Sequence, residues 1–248
     1  MNWQRQTEKS VLLEVDNINT FRGPAHILRG VSLHVDDNEV VSLVGRNGAG
    51  RTTIIESIVG LLPIHSGNIR FHGEEIGKLP PHKRARQGIG YAPENSGIFP
   101  ELTVAENLMI SRWLSDKTMR GTTQYVDAQE QALTVFPEVG KFLARQGLNL
   151  SGGQKKMVSI ARAMALAPSL MILDEAFEGL APVVVKRFRE AVMMIKGMGI
   201  SLLLAESNLT SASAIADRIY VIDRGEIIFH GIPKDALANE EVMRALRG

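Results

Sequence analysis

Alternation of apolar and polar residues predicts one set of strands, and nearly continuous apolar runs predict another. Alternating stretches typical of half-exposed strands lie at 11–15 (VLLEV), 30–35 (GVSLHV) and 67–73 (GNIRFHG). Apolar runs typical of parallel strands buried on both faces lie at 39–45 (EVVSLVG), 169–175 (SLMILDE) and 200–206 (ISLLLAE). The pattern therefore predicts a small antiparallel sheet beside a buried parallel sheet.

Helical spacing of apolar residues follows these buried strands. One predicted helix begins after Gly50, and the others cover 104–114, 126–136, 152–166, 183–196 and 209–216. Strands alternating with helices in this way indicate a three-layer α/β domain. We expect one domain over 1–248, with a mostly helical segment at about 96–150 inserted as a subdomain.

Composition excludes several kinds of site. Cysteine is absent, which excludes disulfides, thiol catalysis and cysteine-ligated metals. The net charge of +1 gives no reason to expect nucleic acid as a partner. The basic run HKRAR at 82–86 is interpreted as the solvated face of a short helix, because no aromatic residues interleave with it. No apolar run approaches the ~18 residues of a membrane span, so we expect a cytosolic chain unless a partner holds it at a membrane.

A glycine-rich loop, GRNGAGRTT, connects the first buried strand to a helix. It fits the pattern G-x-x-x-x-G-K-[ST], whose backbone N–H groups bind phosphate and whose hydroxyl, here Thr52, binds Mg²⁺. A glycine-rich turn without a ligand is the alternative, but the flanking strand and helix favour phosphate binding. The predicted nucleotide-binding residues of the loop are Gly45, Arg46, Asn47, Gly48, Ala49, Gly50, Arg51, Thr52 and Thr53.

Arg51 stands where this loop normally has lysine. Lysine is a compact charge that reaches between phosphates, whereas a guanidinium is longer, planar and directional. Backbone N–H groups can still bind phosphate, but the fit to the transition state changes. We therefore expect impaired hydrolysis at this loop.

Two further motifs place polar groups beside apolar segments. LSGGQ at 150–154 puts a hydroxyl and two glycines before a helix, which suits an anion, although a plain helix cap explains the same residues. The strand LMILDE at 170–175 ends in two carboxylates, which alone would also fit a solvated strand end. Asp174 is positioned to hold Mg²⁺ through water, and Glu175 to orient and deprotonate the attacking water.

In this order and spacing, the three motifs closely resemble the ATP-binding subunits of ABC transporters over almost the whole chain. The resemblance implies a P-loop ABC ATPase core, ATP and Mg²⁺ as cofactors, and a head-to-tail dimer. In such a dimer each ATP lies between one subunit's phosphate loop and the other's LSGGQ. The residues expected to contact the partner's ATP are Ser151, Gly152, Gly153 and Gln154.

Finer resemblance indicates a branch of this family. GIGYAPENSGIFPELTVAENL at 88–108 and FEGLAP at 177–182 resemble importers of branched-chain amino acids and related small solutes. The implied partners are a second, different ATPase subunit, two transmembrane permease subunits and, indirectly, a periplasmic or extracellular solute-binding protein. The chain would then be a peripheral subunit at the cytoplasmic face of the inner membrane. Phe99 and Trp113 fit either a groove for a permease helix or ordinary core packing.

Other positions depart from the family pattern. The adenine-stacking position falls at Arg22, with Phe21 adjacent, and either side chain could cover the base, although Phe21 fits core packing equally well. Glu94 occupies a position, usually glutamine, that senses Mg²⁺ and touches the permease. The switch position, usually histidine, is Ser207, whose side chain is too short to bridge the γ-phosphate and Glu175 without help from Asn208 or water. The resemblance thus implies Glu175, Ser207 and Glu94 as catalytic residues and Thr52, Glu94 and Asp174 as the metal site.

Arg51 and Ser207 would line the same ATP, whereas LSGGQ completes the ATP of the partner. This distribution predicts a heterodimer with unequal sites, in which this chain's phosphate loop forms the weak one. Alternatively, both departures are tolerated and the site turns over slowly, since Asp174 and Glu175 are intact. Two other function classes stay open, a non-hydrolysing regulatory or structural subunit and a soluble ABC ATPase outside transport.

Overall fold

The computed structural model describes residues 10–116 and 124–247, and within them the side chains except those of 112–116 and 124–127. The strands are β1 Val11–Arg22, β2 Ala25–Asp36, β3 Val40–Val44, β4 Ser66–Phe71, β5 Glu74–Glu75, β6 Ile89–Ala92, β7 Leu170–Asp174, β8 Ser201–Glu206, β9 Arg218–Asp223 and β10 Glu226–Gly231. The helices are α1 Arg51–Val59, α2 Pro81–Arg86, α3 Val104–Asp116, α4 Gln124–Val135, α5 Pro137–Gly140, α6 Gly152–Met164, α7 Pro182–Gly197, α8 Leu209–Ser213, α9 Pro233–Ala238 and α10 Glu240–Arg247.

The smaller sheet is antiparallel and has the strand order β2-β1-β4-β5. Its inward-facing residues alternate with exposed ones, and pairs such as Leu13 with Phe71 and Val15 with Ile69 fix the register. The predicted antiparallel sheet is confirmed. Its first strand is longer than expected and continues to Arg22, so the predicted adenine-stacking position lies at the end of β1.

The larger sheet has the order β10-β9-β3-β8-β7-β6, with the five strands from β9 to β6 parallel and β10 antiparallel at one edge. The three predicted buried strands form its centre, as β3, β8 and β7. The sequence did not predict β6, β9 or β10. Apart from these additions, the mixed α/β fold expected from the pattern is confirmed.

Successive residues of the buried strands face two different cores. In β7, Leu170 and Ile172 pack with α1 and the antiparallel sheet, whereas Met171 and Leu173 pack with α6 and α7. Side chains alternate between the faces of a strand, so a strand covered on both faces must be apolar at every position. This is the physical reason for the continuous apolar runs.

The helices α3 to α5 pack against α6 and α7. The rings of Phe136 and Phe188 lie 5.8 Å apart between centroids, and Arg187 donates a hydrogen bond to Glu138 at 2.7 Å. Helix α8 ends at Ser213, three residues earlier than predicted. The side chain of Trp113 lies outside the described residues, and no helix within the described ranges is both long and apolar enough to cross a membrane.

Arg84 corrects the interpretation of the basic run at 82–86. It is only 2% exposed, whereas the prediction made the run a solvated helix face. Its guanidinium donates hydrogen bonds to the carbonyl oxygens of Ser57 and Ile58 at 2.7 Å, and to those of Leu79 and Gly77 at 2.8 Å. The last carbonyls of α1 lack intrahelical partners, so a buried cation satisfies them and complements the helix dipole.

Candidate nucleotide site

The carboxyl ends of neighbouring parallel strands meet at one edge of the larger sheet. The strand β3 leads into the phosphate loop, β7 ends at Asp174, β8 ends one residue before Ser207, and β6 ends two residues before Glu94. In open α/β sheets this edge is where ligands bind. A pocket of about 460 Å³ opens there, lined by Arg22, Ile27, Asn47, Gly48, Gly50, Arg51, Thr52, Thr53, Glu94, Glu175 and Glu178.

The phosphate loop needs its glycines. Gly48 and Gly50 have φ angles of 81° and 118°, a region that residues with a side chain rarely adopt. A Cβ at Gly45 would lie 2.6 Å from the carbonyl oxygen of Ile222. Helix α1 begins directly after Gly50, so its first-turn N–H groups have no intrahelical acceptors. The loop is therefore a concave backbone surface suited to phosphate.

Arg51 is buried and contacts the predicted base directly. Its Nη2 atom donates to Oε1 of Glu175 at 2.5 Å and to Oδ1 of Asn47 at 2.9 Å. The side chain of Arg51 is 5% exposed and that of Glu175 is 9% exposed, so water screens this ion pair little. The Nη1 atom of Arg51 is buried and has no hydrogen-bond partner among the described residues, so a donor is left for a phosphate oxygen.

Glu175 lies at a sharp turn after β7. Its φ angle is 50°, a left-handed conformation that is uncommon for a residue with a side chain. Burial raises the pKa of Glu175, as does a hydrogen bond with Glu178, while the Arg51 guanidinium lowers it. A carboxyl group under these opposing influences suits proton exchange with water near neutral pH.

Asp174 is 3% exposed and is not one of the residues that line the pocket, although Thr52 and Glu175 are. Neither of its carboxylate oxygens has a hydrogen-bond partner among the described residues. Burial raises its pKa to about 6, and the neighbouring Thr52 hydroxyl and Arg51 guanidinium partly offset this rise. Unpaired buried oxygens beside a hydroxyl, with Glu94 lining the pocket, fit Mg²⁺. This ion takes few protein ligands when phosphates are present, and no cluster of three His, Asp or Glu side chains forms a metal site by itself within the described ranges.

Arg22 and Phe21 have different surroundings. Arg22 lines the pocket, donates to the Thr53 hydroxyl at 3.3 Å and forms an ion pair with Glu56. Phe21 is not among the lining residues. Its ring stacks on that of His26, with centroids 4.3 Å apart and planes 9° apart.

The residues after β8 contribute less to the nucleotide pocket than the sequence predicted. Ser207 is exposed and does not line the pocket. Asn208 accepts a hydrogen bond from the backbone N–H of Ser211 at 2.8 Å and thereby caps α8, so its side-chain oxygen is already used. Glu206, which the sequence did not single out, is 2% exposed, and burial raises its pKa to about 8.

The LSGGQ residues lie outside this pocket. The hydroxyl of Ser151 accepts from the N–H of Gln154 at 3.3 Å, and the Gln154 side chain accepts from the N–H of Ser151 at 3.0 Å. This reciprocal cap begins α6. Ser151 and Gly152 are exposed, so the helix N-terminus is accessible to a ligand from another molecule.

Comparison with known proteins agrees with this arrangement. Residues 28–178 match the family model described as ABC transporter. The high-affinity branched-chain amino acid transport ATP-binding protein BraG of Pseudomonas aeruginosa is 33% identical over 96% of this chain and 100% of its own length. The lipopolysaccharide export ATP-binding protein LptB of Escherichia coli is 35% identical over 90% of this chain and 91% of its own. The probable branched-chain amino acid transport ATP-binding protein LivF of Archaeoglobus fulgidus is 32% identical over 96% of this chain and 99% of its own length.

Solved structures resemble the whole fold. The ADP conformation of MJ1267, an ATP-binding cassette of an ABC transporter, superposes with a TM-score of 0.83 at 28% identity, over 96% of this chain and 99% of that one. A nucleotide-free ATP-binding cassette from an ABC transporter gives the same TM-score, identity and coverage. The family match, these relatives and the site geometry together show that the chain belongs to the ATP-binding subunits of ABC transporters. These subunits are ATPases that are coupled to transport.

Proposed function

We propose that this chain drives import of branched-chain amino acids or a related small solute. The names of BraG and LivF support this solute class, as do the importer-like segments at 88–108 and 177–182. The observation that carries the ATPase part is the convergence of the phosphate loop, Glu94 and Glu175 on one pocket. Export of lipopolysaccharide is the competing assignment, because LptB is equally similar in identity.

Each group in the pocket has a proposed role in hydrolysis. The loop N–H groups and the free Nη1 of Arg51 bind phosphate, and Arg22 covers the adenine by planar stacking. Thr52, Asp174 and Glu94 hold Mg²⁺, which when bound neutralises phosphate charge. Glu175 orients the attacking water and accepts its proton. Ser207 contributes at most through water, since it lies outside the pocket lining.

We also propose a head-to-tail dimer with a second, different ATPase subunit. The exposed N-terminus of α6, with Ser151 and Gly152, lies outside this chain's own pocket, so the nucleotide it contacts belongs to a partner. The Arg51–Glu175 ion pair supports unequal sites, because the base is held by the residue that should bind phosphate. The segment at about 96–150 is proposed as the inserted helical subdomain of a single domain.

Membership in the family implies permease partners, which we propose are two transmembrane subunits at the cytoplasmic face of the inner membrane. A solute-binding protein outside the membrane would complete the importer. Uptake of radiolabelled leucine tests the assignment in a strain that lacks the gene. We expect uptake to fall and to be restored by the wild-type chain. Unchanged uptake of leucine and related solutes, together with a loss of surface lipopolysaccharide, would favour export instead.

A further inference from the structure

We propose that Lys156 is a positioning residue for ATP hydrolysis. It fixes the turn that carries Glu175 and connects that turn to the helix that begins with the LSGGQ motif. The inference rests on the proposed role of Glu175 as the base and, for its second part, on the proposed head-to-tail dimer. The lysine lies in α6, one helical turn after the exposed N-terminus.

The ammonium group of Lys156 spans both ends of the turn. Its Nζ atom donates to the carbonyl oxygen of Glu175 and, at 3.0 Å, to the carbonyl oxygen of Glu178. The turn is otherwise closed by a weak hydrogen bond of 3.4 Å from the N–H of Glu178 to the carbonyl of Glu175. The lysine therefore supplies stronger contacts than the turn's own backbone, because charged donors bond more strongly than neutral ones.

The turn needs an external restraint. Glu175 has its φ angle at 50°, and such strained residues persist only where the surroundings hold them. One such contact is the hydrogen bond from the N–H of Glu175 to the carbonyl of Ala205 at 2.9 Å. This bond holds the start of the turn to β8, and Lys156 holds both carbonyls from the other side.

A buried carboxyl group lies near the lysine. Glu206 is at the end of β8, and its Oε1 atom is buried with no hydrogen-bond partner among the described residues. Burial raises its pKa to about 8, while a hydrogen bond with the backbone of Phe177 and the charges of Lys156 and Arg51 lower it. At neutral pH this carboxyl group is mostly protonated, so the two carbonyl oxygens of the turn are the main partners of the ammonium among the described residues.

The same contacts provide a path between the two ATP sites. A ligand that binds at Ser151 and Gly152 acts on the first turn of α6, and Lys156 is rigidly attached to that helix. A shift of α6 therefore moves the carbonyl oxygens of Glu175 and Glu178. Binding of the partner's ATP at LSGGQ would thus adjust the base that faces this chain's own ATP.

Substitution of Lys156 by methionine tests the inference, with Lys155→Met as the matched control. Lys155 is adjacent on the same helix, and its side chain makes no hydrogen bond to another described residue. Hydrogen exchange of the amides at 174–180 reports on the turn without requiring turnover. We expect exchange about tenfold faster in Lys156→Met than in wild type or Lys155→Met. Lys156→Arg, which keeps a charged donor, should restore most of the protection.

ATP turnover provides the second measurement, in a transporter complex in which the phosphate-loop lysine of the partner subunit is changed to alanine so that only this chain's site turns over. We expect Lys156→Met to lower kcat about tenfold with little change in KM, since phosphate binding is untouched. Its effect should vanish in a Glu175→Gln background, because a residue that acts only through the base has nothing left to position. Should Lys156→Met not fold, Lys156→Gln replaces it.

The outcomes separate this inference from the proposed function. If Glu175→Gln hydrolyses ATP as fast as wild type, the proposed base is wrong. If Glu175→Gln is inactive while Lys156→Met matches Lys155→Met in both exchange and turnover, only the positioning role is wrong. If exchange responds to Lys156→Met but not to ATP bound by the partner subunit, the path between sites is refuted and the local role stands.

Discussion

Arg51 and Glu175 form a buried ion pair, with Nη2 of the arginine 2.5 Å from Oε1 of the glutamate. Both side chains line the pocket at which phosphate is expected to bind. The arginine thus does more than replace the lysine of the phosphate loop, because its longer fork reaches the group proposed to activate water. When ATP binds, the Arg51 guanidinium must contact the phosphate as well as Glu175, or leave Glu175, before Glu175 can act as a base.

Replacing Arg51 by the shorter lysine should free Glu175 from its ion pair. We expect Arg51→Lys to raise ATP turnover by about tenfold or more, because lysine reaches the phosphates and leaves Glu175 free. The measurement is turnover of the purified complex in which the phosphate-loop lysine of the partner subunit is changed to alanine.

The control for this experiment is Arg29→Lys, an exposed arginine outside the pocket lining, which should leave turnover unchanged. Equal turnover of wild type and Arg51→Lys would mean that arginine serves as well as lysine, and the unequal-site proposal would fail.

Arg22 should contribute to binding of adenine, whereas Phe21 should not. We expect Arg22→Ala to weaken binding of a fluorescent ATP analogue about three- to tenfold through loss of stacking. Phe21→Leu is the matched comparison, because the ring packs on His26 outside the pocket. A larger loss in Phe21→Leu than in Arg22→Ala would show that the ring, and not the guanidinium, covers the base.

Glu206 should make the protein less stable as the pH rises. Its pKa is raised to about 8 in the folded chain from an ordinary 4.5. Between pH 4.5 and pH 8 the folded state therefore binds more protons than the unfolded state. The free energy of unfolding should therefore decline across this window. Glu206→Gln should remove that decline and exceed the stability of wild type at pH 8.5 by on the order of 2 kcal/mol.

Urea unfolding at pH 5 and pH 8.5 measures this difference, with Glu226→Gln on the exposed edge strand as the control. The same pH dependence in wild type and Glu206→Gln would mean that another group titrates.

Arg84 should be essential for stability even though it lies in a basic run that looks solvated. We expect Arg84→Met to lower the free energy of unfolding by about 3 kcal/mol, because four carbonyl oxygens lose their donor. Lys83→Met, at the exposed neighbouring position, should change it by less than about 0.5 kcal/mol. Similar losses in both variants, measured by denaturant unfolding, would contradict the buried role of Arg84.

Many elements of the fold follow from local patterns. The continuous apolar runs identified β3, β7 and β8, because a strand buried on both faces leaves no polar position. The strand β6 was missed because it has only four residues, and β10 was missed because its residues are partly exposed and their mixed composition resembles that of loops.

The motifs of the site could be identified from sequence for a similar reason. Phosphate binding depends on consecutive backbone N–H groups, so Gly45 to Thr53 forms a local pattern, and the carboxylates of Asp174 and Glu175 lie at the end of their strand. The sequence also identified Arg51 as a departure. It did not reveal which group that arginine contacts.

The sequence by itself determined the family and the three central buried strands, and it predicted which loops bind nucleotide. Only the tertiary structure decided which side chains meet. Arg51 is separated from Glu175 by 124 residues, and Lys156 from the carbonyl of Glu175 by 19. Such contacts depend on how strand ends and helices converge at one edge of the sheet. They also depend on the exclusion of water there, which strengthens the electrostatic interactions between charged groups. Neither the convergence nor the burial is encoded in any single stretch of the chain.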